Sequence, residues 1–254
     1  MLYRVEGIVI RAVEYGEGGV IITLYTAGNG KQGVMVRGAK KMRSRHAAVT
    51  QLYTYGEYVF FRSGAGSLGT LNHAEIIDSY QRVRTDLRSS AYAAYFAELI
   101  DRLVPDGEAS SFLFEQLKAS LAALNDGKDP QIVAHLLEMK LFQFAGIPPV
   151  LHECVACGQP FPADSPVSFS VTRGGALCRR CAQTAEDAAP ITQSVHRLLR
   201  VLQTTDARSI GSVNVRKESK SAVKAILRRW MDTHADVRLK TRGVLDQVEA
   251  VYDS

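Results

Sequence analysis

The chain's four cysteines stand in two pairs, Cys154-x-x-Cys157 and Cys178-x-x-Cys181, with twenty residues between the pairs. Thiols at that spacing point to metal chemistry. Two residues between cysteines allow a tight knuckle that aims both sulfurs at one ion, and two knuckles complete a tetrahedral set for zinc. Four sulfur ligands leave no open position for water, so the expected role of the zinc is structural rather than catalytic. Gly158, just after the first pair, can take the left-handed backbone that a knuckle uses; the second pair has no such glycine. The competing readings are two unmetallated dithiols, a thioredoxin-like centre, or a site in which His152 replaces one sulfur.

A second constellation is basic. From Gly18 to Gly56 there is no acidic residue, while the span holds Lys31, Arg37, Lys40, Lys41, Arg43 and Arg45. All but Lys31 fall within Arg37–Arg45, between two β-like stretches. Cations bind phosphates best when no neighbouring carboxylate cancels their field. Gly38, Ala39 and Ser44 are small enough to let a backbone approach, and Tyr53, Tyr55 and Tyr58 offer stacking faces for unpaired bases. The alternatives are a solvated charged loop and tyrosines that face a core. A third cluster, Lys217, Lys220, Lys224 and Arg228, repeats at three- and four-residue spacing and so shares one helical face. It suits an extension of a nucleic-acid track, an acidic partner, or plain solvation.

Net charge is +5, and its distribution is uneven. Residues 1–84 hold 11 Lys/Arg against 6 Asp/Glu, whereas the remainder holds 20 of each. A positive field confined to the first third implies a polyanionic partner. Enzyme signatures are missing: no P-loop, no Gly-x-Gly-x-x-Gly, no nucleophile elbow and no His-Glu-x-x-His. The expectation is a protein that is not an enzyme, with no catalytic residue to name.

The elements that would position these groups follow from hydrophobic periodicity. Residues 1–77 read as β: Tyr3–Ile10, Val20–Thr26, Gly33–Val36, Tyr53–Phe61 and Leu68–Ile76, separated by glycine-rich turns. Five short strands with a longer third connection suit a five-stranded OB-fold barrel, with an SH3-like barrel as the rival. Helical spacing follows at Ser79–Val104, Phe112–Leu124 and 129–145, resumes at Thr192–Leu202 and Glu218–His234, and is weak over 238–252. The expected class is α+β. It comprises an OB-fold domain (1–78), a helical domain in two parts (79–150 and 190–254), and an inserted four-cysteine zinc module (151–189). No apolar run reaches the ~20 residues of a membrane helix. The first residues lack a secretory signal, so paired cysteines are expected to meet a reducing cytoplasm and a metal rather than disulfides.

Several segments in order resemble the RecO family of bacterial recombination mediators. They are Glu6-Gly7-Ile8-Val9-Ile10-Arg11, Ile21–Thr26, Gly30-Lys31 and Arg37-Gly38-Ala39-Lys40-Lys41, then the Leu137–Gly146 helix before Ile147-Pro148, the cysteine pairs, and Leu239-Lys240-Thr241-Arg242. The resemblance spans nearly the whole chain. It implies an OB-fold domain, a helical domain and a structural zinc. It also implies binding to single- and double-stranded DNA, annealing of complementary strands, and work with RecR to load RecA onto DNA coated by single-strand-binding protein (SSB), whose acidic tail the helical domain would hold. It names no tail-pocket residues, and Lys140 is the one candidate. Arg11 and Lys31 thereby join Arg37, Lys40, Lys41, Arg43 and Arg45 as expected DNA contacts, in a cytoplasmic, nucleoid-associated protein. Two alternatives remain: a zinc-ribbon and OB adaptor of transcription or translation, and a Mg²⁺-dependent nucleic-acid-processing enzyme.

Overall fold

The structure, a computed structural model, describes residues 1–41, 44, 46–64, 67–162, 165–211 and 214–253. Five strands come first: β1 (Leu2–Tyr15), β2 (Gly19–Thr26), β3 (Gly30–Val36), β4 (Tyr55–Phe61) and β5 (Gly69–Asp78). They close a barrel in the order β1-β2-β3-β5-β4. This is the OB arrangement, which decides against the SH3-like alternative. Closure depends on β1 serving twice. Its first half pairs with β4, Leu2 opposite Phe61 through Ile8 opposite Tyr55. Its second half pairs with β2, ending at Tyr15 opposite Gly19, with a register shift between Val9 and Arg11. A bulge bends the strand and lets one segment belong to both sides. The last seam is a short parallel pairing, Val34 with Gly69 and Met35 with Thr70. Gly69 permits it, because a Cβ there would stand 2.6 Å from the Phe60 ring.

The barrel core alternates as the pleat demands. Val9, Ile22, Leu24, Val34, Tyr58 and Phe60 are fully buried. β1 runs five residues past the expected Ile10 and β3 starts three before Gly33. Those extra residues include Arg11, Glu14 and Lys31, whose polarity hides strand pairing from a hydrophobic pattern.

Helical spacing over Ser79–Val104 resolves into two helices, α1 (Gln81–Thr85) and α2 (Leu87–Leu103). The break is at Asp86, whose carboxylate accepts from the Ser89 amide at 2.8 Å and its hydroxyl at 2.6 Å. That is an N-cap, and it fixes where α2 begins. α3 (Ser111–Asn125) is capped in the same way by Ser110, and α4 (Pro130–Phe144) starts with proline in its first turn. The cysteine region then folds as a three-stranded sheet, order β7-β6-β8, from β6 (Val167–Ser170), β7 (Gly175–Cys178) and β8 (Ala189–Ile191), with the single-turn α5 (Arg179–Ala182) between β7 and β8. The chain ends with α6 (Gln193–Thr204), α7 (Lys217–His234) and α8 (Thr241–Asp253).

The chain forms two compact units, Met1–Pro130 with Leu239–Ser254, and Gln131–Arg238. In the first, α8 returns to the N-terminal half. Glu98 on α2 accepts from the Lys240 and Thr241 amides at 2.9 and 2.8 Å, and Arg88 grips Glu249 through two bonds of 2.7 and 3.0 Å. In the second, α4 is apolar around most of its circumference, as a helix at the centre of a core must be. Trp230 on α7 donates to the Ile147 carbonyl at 2.9 Å, which ties the turn after α4 to the C-terminal half of this unit. Among the described residues, no helix is long and apolar enough to cross a membrane.

Candidate metal centre and nucleic-acid interface

The four cysteines converge. The Sγ atoms of Cys154, Cys157, Cys178 and Cys181 all lie within 4.8 Å of one another. Four sulfurs around one zinc at ~2.3 Å stand about 3.8 Å apart, so the set fits a tetrahedral ion with a small contraction. Each knuckle is built by the backbone. Gly158, at φ +69°, donates its amide to the Cys154 carbonyl at 2.8 Å, and Cys154 N–H donates to the Gln159 carbonyl at 2.9 Å. The Cys178 amide donates to Cys154 Sγ at 3.4 Å, linking the two knuckles. β7 delivers Cys178 and the α5 turn delivers Cys181. Gly175 lets this hairpin seat: it pairs with Val150, and a Cβ there would stand 2.2 Å from the Val150 carbonyl oxygen.

The thiols do not titrate alike. Burial pushes the Cys154 thiol up, yet amide donors from Cys178, Ala156 and Cys157 outweigh it and bring it down to about 6. Cys181 is pushed up to about 12, first by its hydrogen bond with Cys178. The amides thus favour the thiolate of Cys154, while the crowding of four sulfurs calls for a cation to hold them all as thiolates. On the sheet behind them, Asp187 accepts from the Val171 and Thr172 amides at 2.8 and 3.0 Å, from the Thr172 hydroxyl at 2.7 Å, and from Ser170. Burial would raise its carboxyl, but these donors hold it well below the usual range.

The basic loop between β3 and β4 sits at one end of the barrel. Gly38, at φ +65°, turns the chain, and the Lys40 amide donates to the Gly18 carbonyl at 3.1 Å, pinning the loop to the β1–β2 turn. Arg37, Lys40 and Lys41 are exposed. Arg43 and Arg45 lie outside the described residues. An open cleft of about 440 Å³ adjoins the loop, lined in part by Ala12, Val20, Ala39, Lys40 and Lys41. Lys40 forms an ion pair with Glu14 across it. The far end of the loop is held by Arg84 from α1, which donates to Gln51 Oε1, Thr54 Oγ1 and the Ser79 carbonyl, each at 2.6 Å. Nothing in its sequence context singles out Arg84; only the packing reveals it as the loop's brace.

Other expected contacts are placed differently. The side chain of Lys31 is only 10% exposed; its ammonium donates to the Asp101 carbonyl at 2.9 Å and pairs with Asp106 at 2.7 Å. Arg11 is more open, 3.8 Å from Asp101, with Nε donating to Thr23 Oγ1 at 3.3 Å. Both therefore fasten the barrel to the end of α2. Tyr53, Tyr55 and Tyr58 are buried and offer no stacking face, so the core-facing alternative holds for them. Tyr58 donates to the Val49 carbonyl at 3.1 Å inside the barrel. On α7, Lys217 is exposed, while Lys220, Lys224 and Arg228 are half-buried along its flank. Lys140 is buried and donates to the Gln203 carbonyl at 2.7 Å.

Two family models match nearly end to end: Recombination protein O N terminal over residues 1–80 and Recombination protein O C terminal over residues 84–243. The chain is 40% identical to a protein of Halalkalibacterium halodurans described as DNA repair protein RecO, over 99% of this chain and 97% of that one. Proteins of Bacillus subtilis and Exiguobacterium sibiricum, described in the same words, are each 38% identical, covering 99% and 98% of this chain and 96% and 98% of theirs.

Proposed function

The chain belongs to the RecO family of DNA repair proteins, and from that premise we propose that it is a non-enzymatic DNA-binding and strand-annealing protein with a structural zinc. The observation that carries this reading is the exposed Arg37, Lys40 and Lys41 set on an OB barrel beside an open cleft. Arg43 and Arg45 would extend it. Cations held on a loop braced at both ends neutralise phosphates without reading base edges, so binding is sequence-independent and strongly salt-dependent. Neutralisation on two strands lowers their mutual repulsion and lets complementary bases meet. No bond is made or broken, so no nucleotide or divalent ion is consumed.

A zinc ion would be held by Cys154, Cys157, Cys178 and Cys181. Bound there it would supply the charge that keeps four thiolates together and would cross-link the two knuckles. Acting with RecR, the protein loads RecA onto single-stranded DNA coated by SSB, whose tail it engages, in the cytoplasm at the nucleoid.

The test is annealing of two complementary oligonucleotides, each precoated with SSB, over a salt series. Salt-sensitive acceleration without nucleotide is expected, weakened by Lys40→Glu/Lys41→Glu. DNA binding without acceleration overturns the annealing role and leaves an OB and zinc adaptor.

A further inference from the structure

The Gln131–Arg238 unit carries a second cleft, lined by none of the four cysteines. Its volume is about 170 Å³, and its lining includes Phe161, Ser165, Gln193, His196, Arg197 and Arg200. Arg197 and Arg200 are three residues apart on α6, so their side chains lie on one face about one turn apart. Both are exposed. Neither guanidinium has an ion-pair or hydrogen-bond partner among the described residues. Three other cations of the same unit are committed: Arg208 is clasped by Asp206 at 2.7 and 2.9 Å, Arg229 faces Asp187 at 4.0 Å, and Lys140 is bound to Gln203.

The remaining walls are fixed. Gln193 donates its side-chain amide to the Ser165 carbonyl. His196 Nε2 is 2.8 Å from the Leu151 carbonyl, and the Phe161 ring meets the imidazole edge-on at 5.3 Å between centroids. The cleft thus has a rigid floor and a rim of two guanidiniums with no partner among the described residues, ten N–H donors in all by their chemistry. Polar groups dominate the lining, which suits a solvated oxyanion better than an apolar side chain. The space holds one phosphate group and not a whole nucleotide stack.

We infer that this cleft is a second phosphate-binding site for single-stranded DNA, in which Arg197 and Arg200 hold a backbone phosphate. It rests on the DNA-binding reading above and extends that reading to the zinc-bearing unit. Guanidiniums hold a tetrahedral phosphate through paired donors, giving an interaction that is specific to the backbone and blind to sequence.

The experiment compares full-length wild type, Arg197→Gln/Arg200→Gln, Arg197→Lys/Arg200→Lys and Lys40→Gln/Lys41→Gln. Each is titrated against a fluorescent oligothymidine by anisotropy over a KCl series, with melting temperature and zinc content measured alongside. For each single-strand phosphate that the protein no longer neutralises, the slope of log K against log salt falls by about 0.7. The glutamine pair at 197 and 200 is expected to lower the slope by at least about that amount with melting and zinc unchanged, and the lysine pair to retain most of the slope. A wild-type slope and affinity in the glutamine pair, while the Lys40/Lys41 variant is weakened, overturns this inference and leaves the proposed function standing; a cleft that serves a protein carboxylate gives that same result. Salt-independent or absent binding by the wild type overturns both.

Discussion

Replacing Glu14 with glutamine is expected to tighten DNA binding while leaving the fold unchanged. Glu14 lies on β1 with its side chain 74% exposed, and its carboxylate pairs with Lys40, whose side chain is 48% exposed. An ion pair so open to water is worth at most about 1 kcal/mol. Its loss therefore changes barrel stability by no more than that. The same pair opposes phosphate binding, because Lys40 either leaves Glu14 or brings a carboxylate beside the incoming phosphate. Removing the acid lifts a cost of up to about 1 kcal/mol, which is about fivefold in Kd. One newly available cation also steepens the salt slope on a single strand by about 0.7. Fluorescence anisotropy with an oligothymidine probe at several KCl concentrations reads both numbers. The mechanism requires Lys40, so Glu14→Gln in a Lys40→Gln background is expected to show little of the improvement. A Glu14→Gln variant that binds no better than wild type, or an improvement that survives intact without Lys40, would refute the idea that this loop binds phosphate through Lys40.

Removing the metal is expected to unfold the knuckles. Cys154→Ser/Cys157→Ser, or chelation of the wild type, is to be checked by zinc content and by proteolysis of the segment 151–189, which becomes cleavable if the metal is structural. Glu249→Ala removes the partner of Arg88 at a site where Glu249 is 6% exposed. Breaking a pair that is buried on one side and partly open on the other costs about 2–4 kcal/mol, readable in urea unfolding, and it frees α8 for proteolysis. Asp187 has a folded pKa held below its ordinary value, so its stabilisation is present above the unfolded carboxyl pKa and is lost as pH falls through the folded one. Below about pH 5 the wild type is therefore expected to lose stability faster than Asp187→Asn, by chemical denaturation at each pH; equal slopes would remove Asp187 from the account.

The sequence alone determined what local physics determines. Cys-x-x-Cys spacing is a property of a few consecutive residues, and the four sulfurs do come together within 4.8 Å. Strand number and the OB class follow from glycine-punctuated apolar runs, which the closed five-stranded barrel matches. The absence of acids from Gly18 to Gly56 marked the loop before its position was known. Tertiary structure decided the rest, because it depends on pairs distant along the chain. Lys31 and Lys40 look alike in sequence. Only the fold brings Lys31 to the Asp101 carbonyl, 70 residues away, and leaves Lys40 on an exposed loop. Tyr53, Tyr55 and Tyr58 fall in an apolar, strand-like run whose faces the sequence leaves open; Tyr58 is buried in the barrel core, Tyr55 meets the Phe114 ring of α3, and Tyr53 lies beside Ala93 of α2 and Leu117 of α3. The weakly patterned C-terminal segment becomes a firm helix because Glu98 and Arg88, more than 140 residues earlier, cap and clamp it. That Arg197 and Arg200 have no partner among the described residues was equally invisible, since whether a cation is paired is settled by which carboxylates the fold brings near it.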